Sequence, residues 1–325
     1  MKGIKISIII PCYNVEKYLS RCLESILNQK VAHDLYEIIT VIDGSKDNSE
    51  SICSKYASIY SNIKVVVKEN GGVYAARNTG VEEAGGEYIW FVDPDDYVTP
   101  NSLSDILLAL STSDLDVLFF YFNRVDEAGH IMTNIKDNFK TEKNQDVLSG
   151  KDFLDKIMLY STFLWGFVAK SKIIKGMKFK ENMRSMGDAE YIPRMLLTTN
   201  RVKIDLFTAY NYVCREGSIS KLKKPSVNLL NGAYEALKTN LLMQKSHPDV
   251  AYFSQFSSYL ILTNIRLLSQ SNDEKLTKRF FFLIKSEKVS HIIYQGKDYK
   301  RKLMVLLYNI SPLACFNISK LFKRQ

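Results

Sequence analysis

Within the first 120 residues, five short apolar runs alternate with stretches of helical periodicity, and that alternation admits few folds. Lys5 to Ile10, Glu37 to Ile42, Ile63 to Val67, Tyr88 to Val92 and Leu115 to Phe120 are rich in β-branched and aromatic residues. Near-continuous runs of this kind read as strands buried on both faces. Val15 to Gln29 carries Val15, Tyr18, Leu19, Cys22, Leu23, Ile26 and Leu27 at helical spacing. Asp47 to Ile59, Val73 to Glu83 (closed by Gly85-Gly86) and Asn101 to Leu110 (preceded by Pro100) read as further helices. Strands and helices alternating through short loops predict an α/β fold with a mostly parallel, doubly wound sheet and flanking helices. Ligands of such sheets bind beyond the carboxyl ends of the strands, so the loops after the strands hold the candidate functional residues.

The remainder is less regular. Residues 123 to 150 are polar and read as a hairpin or loop insertion, and residues 151 to 220 mix short helices and strands. Beyond Pro225, amphipathic stretches around Leu229 to Met243, Tyr252 to Leu268 and Leu276 to Lys285 predict a helical region. The expected organisation is a domain over 1–220 and a helical C-terminal region over 221–325.

Hydrophobic residues at 46% and charged residues at 24% exclude a wholly disordered chain. No stretch approaches the ~18 uninterrupted apolar residues of a membrane span. The longest candidate, Leu303 to Ile318, is broken by Asn309, Ser311, Pro312 and Asn317. The apolar run Ile8-Ile9-Ile10 leads directly into Pro11-Cys12-Tyr13-Asn14, which does not fit a secretory signal. The five cysteines include no CxxC pair and the four histidines lie far apart, which argues against a disulfide framework and a zinc site. The expected compartment is the reducing cytoplasm.

Each loop after a strand suits either chemistry or a structural role. In Pro11-Cys12-Tyr13-Asn14, Tyr13 is able to stack on a planar base, or the segment is turn chemistry with one packed aromatic. In Asp43-Gly44-Ser45-Lys46-Asp47-Asn48-Ser49, Asp47 or Asn48 suits the cap of the following helix, whereas Asp43 comes too early for that. A carboxylate there can accept from a ring N–H or a sugar hydroxyl, and Gly44 permits close backbone approach. Gly71-Gly72 opens the third helix, which suits a phosphate or sugar, though Asn70-Gly71-Gly72 is also an ordinary turn. Arg77, within that helix, points at an anion or pairs with a local carboxylate. The strongest signal is Asp93-Pro94-Asp95-Asp96: three carboxylates at the mouth of a buried strand repel one another unless neutralised. A hard divalent cation, Mg²⁺ or Mn²⁺, shared with substrate phosphates answers that need. The bland alternative is a solvated acidic turn with Asp96 paired to a lysine.

As an ordered set, Ser7-Ile8-Ile9-Ile10-Pro11-Cys12-Tyr13-Asn14, Asp43 to Ser49, Gly71-Gly72 through Ala76-Arg77-Asn78, and Asp93-Pro94-Asp95-Asp96 resemble the family 2 glycosyltransferases of GT-A fold. The match is close over about the first 125 residues and looser to about 220. The resemblance implies an inverting, metal-dependent transferase that moves one sugar from a nucleotide-sugar donor, most often a UDP-sugar. On that reading residues 1–220 form the nucleotide-sugar-binding and catalytic domain. Pro11, Tyr13 and Asp43 hold the uracil, with Asn14, Gly44, Ser45, Gly71, Gly72 and Arg77 around the donor. Asp93 and Asp95 form the DxD motif, with Asp95 the more direct metal ligand. Asp188, in Met186-Gly187-Asp188-Ala189-Glu190, is the general base, against the alternative of a helix cap. Arg215, in the segment Asn211 to Ser220, lies near the diphosphate. The family commonly has two aspartates before the Gly-Ser of the second loop, and here the first is Ile42. Its usual Glu-Asp pair is here Gly187-Asp188.

Phe163-Leu164-Trp165-Gly166-Phe167 is either an acceptor wall or core. No Gln-x-x-Arg-Trp motif is present, so single addition fits better than processive synthesis. The acceptor implied by the resemblance is a glycan or lipid-linked glycan in bacterial surface-polysaccharide assembly.

The net charge of +9 is concentrated at the end of the chain. Lys297, Lys300, Arg301, Lys302, Lys320, Lys323 and Arg324 stand against Asp298 alone, which accounts for two thirds of it. Basic flanks around an apolar run read as an interfacial anchor for an anionic membrane surface, or as a packed helical pair with a solvated end. The anchor reading places the enzyme peripherally on the inner face of the cell membrane. Nucleic acid is not expected as a partner, since basic residues are not interleaved with aromatics across a sheet. The rival functions are a nucleotidyltransferase, whose glycine-rich signature with lysine after strand one is missing here, and an inactive nucleotide-sugar-binding module.

Overall fold

The structure, a computed structural model, describes residues 5–135, 139, 146–160, 163–215, 225–271, 273–293 and 298–321. Its first strand, β1 (Ile6–Cys12), is buried along its whole length. It pairs in parallel with β2 (Tyr36–Asp43) on one side and β4 (Tyr88–Phe91) on the other, and β2 pairs in parallel with β3 (Ile63–Lys68). The apolar runs thus form the expected parallel block. Helices α1 (Glu16–Leu27), α2 (Ser49–Ile59), α3 (Val73–Glu83) and α4 (Ser102–Thr112) supply the connections. Leu19, Cys22, Leu23 and Ile26 of α1 share a core with Ile6, Ile8, Ile10 and Cys12 of β1, all of them wholly buried.

Beyond β4 the sheet changes character. With β5 at Tyr97–Val98, β6 at Val117–Val125, β7 at Ile131–Ile135, β8 at Phe167–Lys170 and β9 at Val202–Val213, its order is β3-β2-β1-β4-β8-β6-β9-β5, and β7 pairs β6 off that path. Strand β8 lies antiparallel to both β4 and β6. Strand β9 runs parallel to β6 and antiparallel to the two-residue β5. The sheet is therefore mixed, and the parallel expectation holds for its first half. The polar stretch after residue 123 begins with the expected hairpin, because β6 and β7 pair antiparallel. Residues 136–138 and 140–145 lie outside the described residues. Short helices α5 (Gly150–Lys156) and α6 (Ser171–Lys175) flank β8 in sequence.

Two compact units emerge from the packing: Met1–Asn182 with Tyr191–Glu216, and Met183–Glu190 with Gly217–Gln325. The division cuts α7 (Gly187–Leu196) after Glu190, so Asp188 belongs to the second unit. That unit also holds α8 (Val227–Ser246), α9 (Ala251–Ser271), α10 (Glu274–Ser286), α11 (Tyr299–Ile310) and α12 (Pro312–Leu321). Ser226, Asp273 and Asp298 cap α8, α10 and α11 with their side chains. No helix among the described residues is long and apolar enough to cross a membrane.

Candidate active site

The carboxyl ends of β1 to β4 are tied to one another by side chains. After β1, Asn14 adopts φ +51, and its N–H donates to Ser45 Oγ at 3.2 Å. In return the Lys46 N–H donates to Asn14 Oδ1 at 2.9 Å, and Ser45 Oγ donates to the Cys12 carbonyl at 3.3 Å. Asp47 accepts from the N–H groups of Ser49 and Glu16, at 3.1 and 3.0 Å, and so serves the starts of both α2 and α1. Asn48 is the N-cap residue of α2 by position but makes no side-chain cap bond. Pro11 is buried in β1, whereas Tyr13 is 50% exposed with its ring presented to solvent.

Asp43 is 2% exposed, yet its carboxylate is well supplied with donors. Oδ1 accepts from the Gly71 N–H at 2.8 Å and from Lys68 Nζ at 2.9 Å, and Oδ2 accepts from the Gly72 N–H at 2.7 Å. Gly72 adopts φ +89, a conformation that side chains resist, and this aims its N–H back at Asp43. Asn70 Nδ2 donates to the Asp43 carbonyl at 2.9 Å, and Gly44 turns the chain at φ +69 against Asn70. The glycine loop is thus held closed on the β2 loop by one buried carboxylate.

At the mouth of β4 the three aspartates have three different environments. Asp93 is half-buried and accepts from Arg77 Nη2 at 2.7 Å. Arg77 is 6% exposed, stacks 5.4 Å from the Tyr74 ring, and keeps a buried Nε with no hydrogen-bond partner among the described residues. Asp95 is also half-buried and is paired with Arg215 Nη2. The Arg215 guanidinium rests 4.7 Å from the Tyr18 ring of α1. Asp96 is 3% exposed and pairs with no lysine among the described residues. It accepts from Tyr210 Oη at 2.9 Å and from the Val213 N–H at 2.8 Å. Tyr210 Oη in turn accepts from the Asp93 N–H at 3.1 Å, so β9 braces the aspartate turn from beneath.

The electrostatics follow from this placement. Burial pushes the Asp96 carboxyl well above the ordinary carboxylate range, and Asp95 and Asp93 push it the same way. Burial also raises Asp93, with Arg77 opposing and Asp95 adding to the shift. Burial works against the Arg215 charge, but Asp95 and Tyr18 hold its pKa above the usual guanidinium value. Tyr210 is pushed well up by burial, then by Asp96 and Asp93.

The aromatic cluster, open between acceptor wall and core, is core at Leu164, Trp165 and Phe167, with Phe163 packed against it. Trp165 stacks on Tyr210 at 4.4 Å with ring planes 2° apart, and its carbonyl accepts from Trp90 Nε1 at 2.9 Å. Its function is to back the tyrosine that holds Asp96.

Hard carboxylate oxygens suit Mg²⁺ or Mn²⁺. Asp93 Oδ2 and Asp95 Oδ1 have no hydrogen-bond partner among the described residues. No three His, Cys, Asp or Glu side chains among those residues are grouped to hold a metal. The donor set fits a cation that takes one or two carboxylates and completes its shell from a phosphorylated substrate, rather than an all-protein cage.

Asp188 sits in the first turn of α7, just after Met186 at φ +56. It is half-buried, and its Oδ1 accepts from the Ala189 N–H at 2.9 Å. Of the basic segment Asn211 to Ser220, residues 216 to 220 lie outside the described residues, as do Lys297, Lys323 and Arg324. The sequence reading missed Lys68, Tyr18 and Tyr210. Each acts by supporting a candidate residue remote in sequence, and local spacing carries no signal of that.

Residues 7–166 match the profile of Glycosyl transferase family 2. The chain is 30% identical over 270 residues to the minor teichoic acid biosynthesis protein GgaB of Bacillus subtilis strain 168, a match covering 80% of this chain and 29% of GgaB. It therefore spans less than a third of that relative's length. The glycosyltransferase GlyG of Streptococcus pneumoniae serotype 4 is 32% identical over 233 residues, 66% of this chain and 73% of GlyG. Among solved structures, S. aureus TarS 1-349 in complex with UDP-GlcNAc matches with a TM-score of 0.71 at 20% identity, over 99% of this chain and 92% of that one. At that identity the likeness shows a shared fold, the GT-A arrangement the motifs imply. The likeness to GlyG, which covers 73% of that relative, together with the profile match over residues 7–166, shows that the chain belongs to the family 2 glycosyltransferases.

Proposed function

We propose that the chain moves one sugar from a UDP-sugar to a hydroxyl of a glycan or lipid-linked glycan acceptor, with inversion, in bacterial surface-polysaccharide assembly. The observation that carries this reading is the pairing of Arg77 with Asp93 and Arg215 with Asp95 at the mouth of β4. Two carboxylates beside two guanidiniums are the complement of a diphosphate bound with a cation. TarS, solved with UDP-GlcNAc, and GgaB, named for minor teichoic acid biosynthesis, support the donor and the acceptor class.

The exposed Tyr13 ring stacks on the uracil. Pro11, Asn14, Gly44, Ser45, Gly71 and Gly72 shape the walls of the donor site, and Asp43 holds those walls together while facing the base. Arg77 and Arg215 bind the diphosphate oxygens. Asp93 and Asp95 would hold Mn²⁺ or Mg²⁺, which when bound neutralises charge on the departing diphosphate. Asp188 takes the proton from the acceptor hydroxyl as that oxygen attacks the anomeric carbon from the face opposite the leaving group. A single displacement inverts the configuration. The enzyme works at the inner face of the membrane, met by the basic segment 297–325.

The test is a thermal-shift panel of UDP, GDP, CDP, dTDP and their common sugars, each with and without Mn²⁺. A ligand at a hundred times its dissociation constant adds about 2.7 kcal/mol of stability. The expected result is a rise with UDP that needs Mn²⁺ and vanishes in Asp95→Ala. No rise with any nucleotide would overturn the donor assignment and favour a non-catalytic module.

A further inference from the structure

The second unit carries an apolar helix face that stays in solvent. On α11, Tyr299, Leu303, Leu306 and Ile310 are 79, 39, 58 and 73% exposed. At 3.6 residues per turn these four fall within an arc of about 60°. Tyr308 lies on the opposite side of the helix, wholly buried, and its hydroxyl donates to the Val289 carbonyl at 2.9 Å. One face of α11 is therefore seated in the helical unit and the other is apolar and bare. A contiguous apolar stripe of this kind marks an interaction surface rather than ordinary surface scatter.

The rims of the stripe indicate what it meets. Exposed Lys300 and Lys302 flank it, one on each side. Exposed Leu313 and Lys320 on α12 repeat the combination of apolar and basic groups. Between residues 298 and 321, Asp298 is the single acidic residue, and its carboxylate already accepts from the Arg301 N–H at 3.2 Å as the cap of α11. A short helix with an apolar stripe and basic rims is the form of an interfacial anchor, and α11 is too short to span a bilayer. A second copy of the chain is a poor occupant, because a self-complementary contact would bring basic rims together with only the Asp298 carboxylates, already engaged with Arg301, to separate them.

We propose that the Tyr299–Ile310 face of α11 is the surface on which the chain lies against an anionic lipid bilayer. Leu303, Leu306 and Ile310 enter the headgroup boundary, and Lys300 and Lys302 meet the headgroups. The assignment rests on the membrane part of the functional reading and adds the surface that performs it. It does not depend on the donor chemistry.

The test is co-flotation of the full chain with phosphatidylcholine vesicles with and without phosphatidylglycerol, at low and high salt. The expected result is binding that needs phosphatidylglycerol and weakens as salt screens the rims. The double variant Leu306→Asp/Ile310→Asp changes two exposed side chains, so its melting temperature and its UDP-dependent thermal shift stay at the parent values. Its partitioning falls by about tenfold or more. A parent that ignores anionic vesicles, or a variant that binds them as the parent does, overturns the assignment. So does a parent dimer that the same variant dissociates, which would give the face to a second copy. Loss of the UDP shift in the parent would sink the donor reading and leave the vesicle result standing.

Discussion

Arg215 donates to the Asp95 carboxylate across 120 positions of sequence, and Arg77 donates to Asp93 beside it at 2.7 Å. The carboxylates of Asp93-Pro94-Asp95 are thereby neutralised by guanidiniums rather than left to repel each other. On the function proposed above, the same two arginines bind the diphosphate of the donor. On that proposal donor binding would be an exchange, in which the arginines pass to phosphate oxygens and the carboxylates become free to ligate a cation.

This exchange predicts that Mn²⁺ and Arg215 compete for Asp95 when no nucleotide is present. In calorimetric titrations without UDP, Arg215→Gln should bind Mn²⁺ severalfold more tightly than the parent, since a partly exposed pair is worth up to about 1 kcal/mol. With UDP present the order should reverse, because the variant lacks a diphosphate ligand. Equal Mn²⁺ affinity in both proteins without UDP would show that the pair does not guard the carboxylate.

Asp188 gives a separable prediction. In Asp188→Asn the side-chain oxygen that accepts from the Ala189 N–H is retained, so the start of α7 survives. Turnover on a matched donor and acceptor should fall by about 10² to 10⁴, the usual contribution of a general base. The Mn²⁺-dependent UDP shift should persist. A variant with parental turnover would leave Asp188 as a helix cap.

How far the sequence reveals this fold and its candidate site depends on what kind of pattern each part leaves. The runs of β1, β2 and β4 are legible because strands buried on both faces must be apolar at every position. Their helices follow from one-sided periodicity. The antiparallel entry of β8 between β4 and β6 is not legible, because four residues signal burial without saying which neighbour buries them. β5, at two residues, is too short to leave a period. The aspartate turn is conspicuous because clustered charge at a strand end is costly. Its support by Tyr210 is hidden, since a buried tyrosine on β9 looks like any core aromatic until its hydroxyl is seen between Asp93 and Asp96.

Asp43 and Tyr13, both expected at the base, should respond differently to mutation. Asp43 accepts from Gly71, Gly72 and Lys68 in a buried setting, so Asp43→Asn places an amide against N–H donors. It should cost about 1–3 kcal/mol of stability, read by urea unfolding, and weaken UDP binding as the glycine loop loosens. Tyr13 is half exposed, so Tyr13→Ala should leave stability unchanged and cost about 1–3 kcal/mol of UDP affinity through lost stacking. Parental stability in Asp43→Asn would show that the carboxylate does not hold the loop.

Asp96 makes stability depend on pH with a defined sign. Burial lifts its pKa well above the carboxylate range, Asp95 and Asp93 add to the rise, and the bonds from Val213 and Tyr210 only partly oppose it. In the unfolded chain the same carboxyl ionises near about 3.9. Between that value and the folded one, the native state binds more protons than the unfolded state, so the unfolding free energy falls as pH rises. The stabilisation is complete below the unfolded value and is lost as pH climbs through the folded one. Asp96→Asn removes the titration and keeps an oxygen for the Val213 N–H. In metal-free buffer, urea unfolding from about pH 4 to 8 should show the parent losing stability relative to Asp96→Asn as pH rises. A parent-to-variant difference that stays constant over that range would mean that Asp96 ionises in the folded chain as it does in the unfolded one.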